Sequence, residues 1–111
     1  MAHVDKNATV ADVRVAAMES GHLRILVCGK SGLKPLVVHV RDTLLEPADK
    51  PARDVARNAY VLDSKTPVYE ALARMRKASV QLAVVSKDGK MVGVVTLADI
   101  LKRVLPTTAA N

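Results

Sequence analysis

The chain has 111 residues, half of them hydrophobic, and a formal net charge of +6, which suits one small domain with a general attraction for anions. With no Trp or Phe and only Tyr60 and Tyr69, the core must be aliphatic, and the stacking platforms that single-stranded nucleic acid needs are missing. The basic residues are scattered, with no helix-turn-helix, zinc-finger or basic-zipper spacing, so the charge reads as a solvated surface and no nucleic-acid partner is expected. Cys28 is the single cysteine, which excludes an intrachain disulfide and fits a reducing compartment. No apolar run approaches the roughly 20 residues that span a bilayer.

In chain order, the first pattern is helical, from about Thr9 to Met18, with Gly21 as its C-terminal cap. Ile25-Leu26-Val27 reads as a strand, Gly29-Lys30-Ser31-Gly32 as a turn, and the apolar run after Pro35 as a second strand closing on Val40-Arg41-Asp42. Residues 47–51, polar and punctuated by Pro47 and Pro51, read as a linker. Ala52 to Arg57 suits a helical turn and Asn58 to Leu62 a short strand. Thr66-Pro67 then reads as a helix start, with a hydroxyl N-cap and proline at the first helical position. Val68, Leu72 and Met75 recur at helical spacing and are expected to face one core. Leu82 to Val85 is a strand, Lys87-Asp88-Gly89-Lys90 a hairpin turn, and Met91 to Val95 the returning strand. Leu97 to Leu105 is a short helix stopped before Pro106.

These elements repeat. Asp5-Lys6-Asn7-Ala8-Thr9-Val10-Ala11-Asp12-Val13 answers Asp63-Ser64-Lys65-Thr66-Pro67-Val68-Tyr69-Glu70-Ala71, and Ile25-Leu26-Val27 answers Ala83-Val84-Val85. Leu36-Val37-Val38-His39-Val40-Arg41-Asp42 answers Gly93-Val94-Val95-Thr96-Leu97-Ala98-Asp99. The predicted fold class is therefore α/β (α+β), two β-α-β-β-α motifs in tandem making one pseudo-symmetric module. The predicted division is 1–46 for the first motif, 47–51 for the linker, 52–106 for the second motif and 107–111 for a tail. The first motif looks clipped, since no full counterpart of Asn58 to Leu62 precedes Asp5.

Gly93-Val94-Val95-Thr96-Leu97-Ala98-Asp99 resembles the signature of the cystathionine-β-synthase (CBS) motif: Gly, two apolar residues, Ser or Thr, two variable residues, then Asp. The first half keeps Asp42 but has Leu36 for the Gly and His39 for the Ser/Thr. The segment from Val37 to Leu45, together with Ala71 to Lys77 and Val95 to Leu101, resembles the CorC/haemolysin-like group related to the cyclin-M magnesium transporters. That resemblance implies a cytoplasmic regulatory CBS pair of a membrane ion-transport protein of the magnesium/cobalt-efflux kind. Its transmembrane domain would lie outside this chain, its partner would be a second copy in a homodimer, and its regulatory ligand would be ATP, ADP or AMP, with or without Mg. Two other roles stay open: a ligand-free dimerisation module, and a regulatory pair on a soluble enzyme.

In such pairs the nucleotide lies in clefts between the motifs. By resemblance Asp99 would grip the ribose hydroxyls and Thr96 a phosphate, with Ala59, Tyr60 and Ala83 against adenine. A weaker second cleft would use His39, Asp42 and Arg41, and Arg24 could also reach a phosphate. The spacing itself allows two readings. A hydroxyl where a strand becomes a helix, with a carboxylate three residues on, presents a helix N-terminus and a bidentate acceptor to a ligand. The same Thr-x-x-Asp is also a capping box that needs no ligand, and the same holds, more weakly, for His39 and Asp42.

No enzyme is expected. His3, His22 and His39 have no metal-ligand spacing, Cys28 has no neighbouring base, and Lys30-Ser31 lacks the glycine loop of a phosphate-binding P-loop. Catalytic residues and metal ligands are accordingly none.

Overall fold

The structure, a computed structural model, describes residues 2–28 and 34–104. The Gly29–Gly32 turn, Leu105, Pro106 and the tail lie outside the described residues. The chain divides into two compact units, Met1–Ala59 and Tyr60–Asn111.

Unit 1 runs β1 (His3–Asp5), α1 (Val10–Ser20), β2 (Arg24–Cys28), β3 (Leu36–His39), 3₁₀ turns at Val40–Thr43 and Ala52–Val55, and β4 (Arg57–Asn58). Its sheet has the order β1-β2-β3-β4, with β1 parallel to β2 and the other pairs antiparallel. Unit 2 runs β5 (Tyr60–Asp63), α2 (Val68–Ala78), β6 (Leu82–Lys87), β7 (Lys90–Thr96) and α3 (Leu97–Val104). Its sheet has the order β5-β6-β7, again parallel then antiparallel. A parallel pair needs a crossover, and one helix supplies it in each unit.

The repeat read from sequence is a repeat in space. His3 pairs with Leu26 as Val61 pairs with Val84, and Arg24 with His39 as Leu82 with Thr96. The strand that seemed clipped is β1, three residues long. In both units an Asp closes the first strand with an Asx turn: Asp5 Oδ1 accepts from the Asn7 amide at 2.9 Å, and Asp63 Oδ1 from that of Lys65 at 2.8 Å. Both crossover helices end in a left-handed residue, Gly21 (φ 76°) and Ser79 (φ 56°). Glycine adopts that conformation freely, and serine with some strain. The second hairpin turns through Asp88 (φ 52°) and Gly89 (φ 79°), the two positive φ angles that a type I′ turn requires.

Several local expectations are corrected. The N-cap of α2 is Pro67, with extended backbone and no side-chain bond, so Thr66 lies one residue outside the helix. Pro67 thus stands where Thr9 stands in unit 1, whose hydroxyl does cap. Val68 is exposed although its counterpart Val10 is completely buried, and the buried face of α2 is Ala71 and Met75. The single strand expected over Asn58–Leu62 is two: Arg57–Asn58 joins β3, Ala59 follows with its amide on the Pro35 carbonyl at 3.1 Å, and Tyr60–Asp63 starts the other sheet. The closing helix of the first repeat is only the 3₁₀ turn Val40–Thr43.

Residues 47–51 are tied to α1. The amides of Val10 and Ala11 donate to the carbonyls of Lys50 at 2.8 Å and Ala48 at 2.9 Å, and Ala52 N–H donates to Ala8 at 2.8 Å. These bonds satisfy first-turn amides that a helix otherwise leaves without partners. Arg14 donates to the carbonyls of Thr43 and Glu46, clamping the same segment onto the helix.

Each unit has its own core. Val13, Ile25 and Val38 are completely buried together with Ala8, Val27 and Ala52 in unit 1. Met75 and Ala83 are completely buried with Leu62, Ala71 and Ile100 in unit 2. With no large aromatic, Met75 fills the centre of unit 2. Met75→Ala is expected to lower stability by about 2–5 kcal/mol, from lost transfer energy plus the cavity left behind, measured by urea denaturation.

Candidate functional site

The strand-to-helix switch at the end of the third strand is held the same way in both units. Val40 N–H donates to the Leu23 carbonyl at 2.9 Å in unit 1, and Leu97 N–H to the Gln81 carbonyl at 2.8 Å in unit 2. Each bond ties the first residue after the strand to the residue before the central strand. The residue that ends the strand, His39 or Thr96, is thereby fixed beside Arg24 or Leu82. The chain then enters the turn or helix that carries Asp42 or Asp99.

In unit 2, Thr96 Oγ1 accepts from the Asp99 amide at 3.1 Å. This is half of a capping box. Asp99 is exposed, and among the described residues its carboxylate has no hydrogen-bond or ion-pair partner. The Thr96 hydroxyl keeps its O–H free to donate. Thus a donor hydroxyl and an uncommitted carboxylate sit together at the N-terminus of α3, where the helix dipole favours an anion.

The chain contains a second Thr-x-x-Asp that sequence reading did not single out. Thr9 and Asp12 form the complete box: Asp12 N–H to Thr9 Oγ1 at 3.3 Å, Thr9 N–H to Asp12 Oδ2 at 2.9 Å, and Thr9 Oγ1 to Asp12 Oδ2 at 3.2 Å. With the amides of Val10 and Ala11 also engaged, that helix start is closed on itself. Identical spacing therefore gives a closed cap in unit 1 and an open pair in unit 2.

In unit 1, His39 makes no cap, and Asp42 is already committed. Its Oδ2 accepts from Arg57 at 2.8 Å and its Oδ1 lies 4.0 Å from Arg41 Nε. Arg57 was missed by sequence reading, since it lies 15 residues from Asp42 with no periodic link. Thr43, also missed, is the one buried polar residue among the described residues, and its hydroxyl donates to the Val40 carbonyl at 2.6 Å. Burial, followed by the guanidiniums of Arg57, Arg24 and Arg41, holds His39 below the ordinary histidine range, and Asp42 partly opposes them.

The remaining expected residues separate. Tyr60 is half-buried and packs against the unit 2 core, opposite Ala83 in the β5–β6 register. Ala83 is completely buried within that core, between Tyr60 and Val95 in the sheet. Ala59 ends unit 1. Burial also pushes the Cys28 thiol up, away from reactivity. No group of three or more metal-binding side chains occurs among the described residues.

Residues 52–106 match the CBS domain family model. The fold is similar to that of the CBS domain of a bacterial CNNM/CorC family Mg2+ transporter in complex with ATP, at 21% identity and a TM-score of 0.82, covering 94% of this chain and 78% of that one. It is also similar to a CBS domain protein from Pyrobaculum aerophilum complexed with AMP, at 24% identity and a TM-score of 0.75, covering 88% and 81%. A third similar structure is a haemolysin-like protein containing a CBS domain from Oenococcus oeni, at 18% identity and a TM-score of 0.80, covering 96% and 82%. No curated protein matches the chain by sequence.

The two Thr-x-x-Asp pairs should respond differently to mutation. Asp12→Ala breaks a reciprocated cap and is expected to cost about 1 kcal/mol. Asp99→Ala, which loses no side-chain bond, is expected to cost no more than about 0.5 kcal/mol, both read from urea midpoints at neutral pH. The lowered His39 pKa carries its own signature. Stability is complete above the unfolded histidine pKa of about 6.5 and is lost as pH falls from there through the lower folded value, because the unfolded chain binds the proton more readily. His39→Gln should flatten the stability profile between about pH 7.5 and pH 5.5 relative to the parent chain, as measured by denaturation at each pH.

Proposed function

We propose that this chain, which belongs to the CBS domain family through residues 52–106, is a regulatory, non-catalytic module that senses an adenine nucleotide at Thr96 and Asp99. The observation that carries the reading is the open half-cap: a carboxylate with no partner among the described residues, beside a hydroxyl free to donate. An ionised carboxylate accepts both hydroxyls of a ribose diol. The Thr96 hydroxyl and the α3 amides suit phosphate oxygens. Tyr60 is half-buried on the strand beside Ala83, and we assign adenine to it. Ala83 is its partner in the β5–β6 register, and Ala59 precedes it in the chain. Support for the ligand class comes from the similar CBS structures, one in complex with ATP and one with AMP.

The regulated partner we propose is a membrane ion-transport domain of the magnesium/cobalt-efflux kind, with this module on its cytoplasmic side and paired with a second copy. Likeness to a CBS domain of the CNNM/CorC family supports this reading. No helix of the described residues is long and apolar enough to cross a membrane, so the transport step belongs to another domain. Occupancy would be transmitted by differential affinity for two arrangements of the module.

A ligand-free dimerisation role is the second reading. It is favoured by the exposure of Met18 and Leu45, at 87% and 99%. Calorimetry with ATP, ADP and AMP, with and without Mg, separates the two. Binding is expected, and Asp99→Ala should raise Kd at least tenfold, in line with the roughly 1.5–3 kcal/mol carried by hydrogen bonds to a charged group. No heat with millimolar nucleotide, alongside an unchanged dimer in sedimentation, would overturn the sensing role and leave the structural one.

A further inference from the structure

The two sheets follow one plan and differ by one strand. Unit 1 has the order β1-β2-β3-β4, whereas unit 2, among the described residues, stops at β7, the counterpart of β3. In an antiparallel ladder the pairs alternate, and the amide and carbonyl of a residue in a non-hydrogen-bonded pair point away from the partner strand. The Val40 bond to the Leu23 carbonyl makes Arg24 and His39 such a pair, and Leu26 and Val37, two residues along, another. The main-chain groups of Val37 therefore face outward. There Arg57 of β4 is their register partner, and the Ala59 bond to the Pro35 carbonyl continues the ladder. The Leu97 bond to the Gln81 carbonyl puts Thr96, and hence Val94, in the same state. The amide and carbonyl of Val94 face outward like those of Val37, and no strand among the described residues meets them.

Three further features mark this edge as a place for a strand. Val37 and Val38 are buried, with exposures of 7% and 0%, whereas their counterparts Val94 and Val95 are only half-buried. Gly93 stands in the place of Leu36, which pairs with Asn58 of β4. Its φ is not positive and a Cβ there would meet nothing within 4 Å, so unit 2 itself does not require glycine at that position. Within a strand, glycine suits the close approach of another backbone. Nothing protects the run from Gly93 to Thr96, which holds no proline and no charge. A bulge bounds it, with Val92 as the extra residue between the pairs Gly93–Val85 and Met91–Ser86.

We propose that the outer edge of β7, from Gly93 to Thr96, is a docking strand for an extended acidic segment of a partner protein, added antiparallel as β4 is added to β3. Strand addition at a sheet edge draws its affinity from main-chain hydrogen bonds, and β4 shows that two exposed residues suffice to make the pairing. Charge gives the segment its chemistry. A strand antiparallel to β7 that passes Gly93 heads toward Lys90 and its register partner Lys87, both exposed and without ion pairs among the described residues. Asp88, in the turn between them, sets one carboxylate against two ammonium groups. The segment therefore carries its Asp or Glu residues just after the paired stretch, where opposite charge selects the partner and the direction of docking.

Amide hydrogen exchange followed by NMR tests this on the full chain, with the acetylated peptide Thr-Val-Thr-Val-Thr-Glu-Glu-Glu as the probe. Nucleotide is left out, so the outcome does not depend on the site at Thr96 and Asp99. In the free protein the Val94 amide is expected to exchange about tenfold or more faster than that of Val37. Saturating peptide should slow Val94 by about tenfold or more and leave Val37 unchanged. The same peptide N-methylated throughout its Thr-Val stretch should have no effect. Val94→Pro removes the outward donor and spares the bonds of Gly93 and Val95 to β6, and should abolish binding in calorimetry. Lys90→Glu should raise Kd about threefold at low salt. Millimolar peptide without effect on Val94, equal action of the methylated peptide, or unchanged affinity in Lys90→Glu would each overturn the proposal. So would a Val94 amide already protected without peptide: the edge is then filled by this chain or, where protection grows with protein concentration, by a second copy.

Discussion

Each unit depends on a parallel strand pair that can be made only by carrying the chain over a helix. β1 and β2, and likewise β5 and β6, cannot be joined by a tight turn, so α1 and α2 are obligatory and cover one face of each sheet. The helix must then reverse into the central strand, which it does through a left-handed residue, Gly21 or Ser79. Two residues later a backbone carbonyl, Leu23 or Gln81, accepts from the residue that follows the third strand. That single bond fixes where the third strand ends. It sets His39 and Thr96 at matching positions, and everything chemical in the molecule is arranged around those two residues.

The two copies then diverge through what surrounds the shared switch. In unit 1 the chain continues past the switch, returns over α1, and saturates its first-turn amides with the carbonyls of Lys50 and Ala48. Arg14 reaches back to the carbonyls of Thr43 and Glu46, and Arg57 arrives on β4 to hold Asp42. The polar groups of that switch are absorbed by the unit's own structure. In unit 2 the switch opens into an ordinary helix, the hydroxyl of Thr96 caps once, and the carboxylate of Asp99 stays in solvent. A surface carboxylate costs little to leave unpaired in water, so an open site can persist there without weakening the fold.

Sequence made much of this architecture legible, because repetition constrains register. Aligning Asp5 with Asp63 and Ile25 with Ala83 specifies the same partners that the sheets adopt. Asp88-Gly89 and Gly21 announce positive φ angles that few other residues tolerate. The misreadings fall where local propensity had no access to tertiary partners. Thr66 looks like a better cap than Pro67, yet the Asx turn from Asp63 sets the helix start one residue later. Residues 47–51 have the composition of a linker, but their carbonyls are the acceptors that α1 lacks. Asn58 to Leu62 is a continuous strand by pattern, although its two ends pair in different sheets.

The candidate site was legible in residue type and illegible in state. Thr9-x-x-Asp12 and Thr96-x-x-Asp99 are the same motif, preceded in one case by the polar Asp5-Lys6-Asn7 and in the other by the apolar strand end Val94-Val95. The difference lies in the carboxylate, which at Asp12 returns to its cap residue and at Asp99 does not. At α1 the neighbouring amides already have carbonyl partners, so the Thr9 amide is the donor left for Asp12. At α3 the corresponding amide is that of Thr96, the last residue of β7, which belongs to a strand paired with β6 at Leu82. That pair is of the non-hydrogen-bonded kind, because the flanking Leu97 amide donates to the Gln81 carbonyl, so the Thr96 amide turns away from β6, and among the described residues Asp99 makes no return bond to it. What separates the two pairs is the setting of the hydroxyl: Thr9 follows a turn and its own amide meets the Asp12 carboxylate, whereas Thr96 ends a strand and caps once, which leaves the Asp99 carboxylate to solvent.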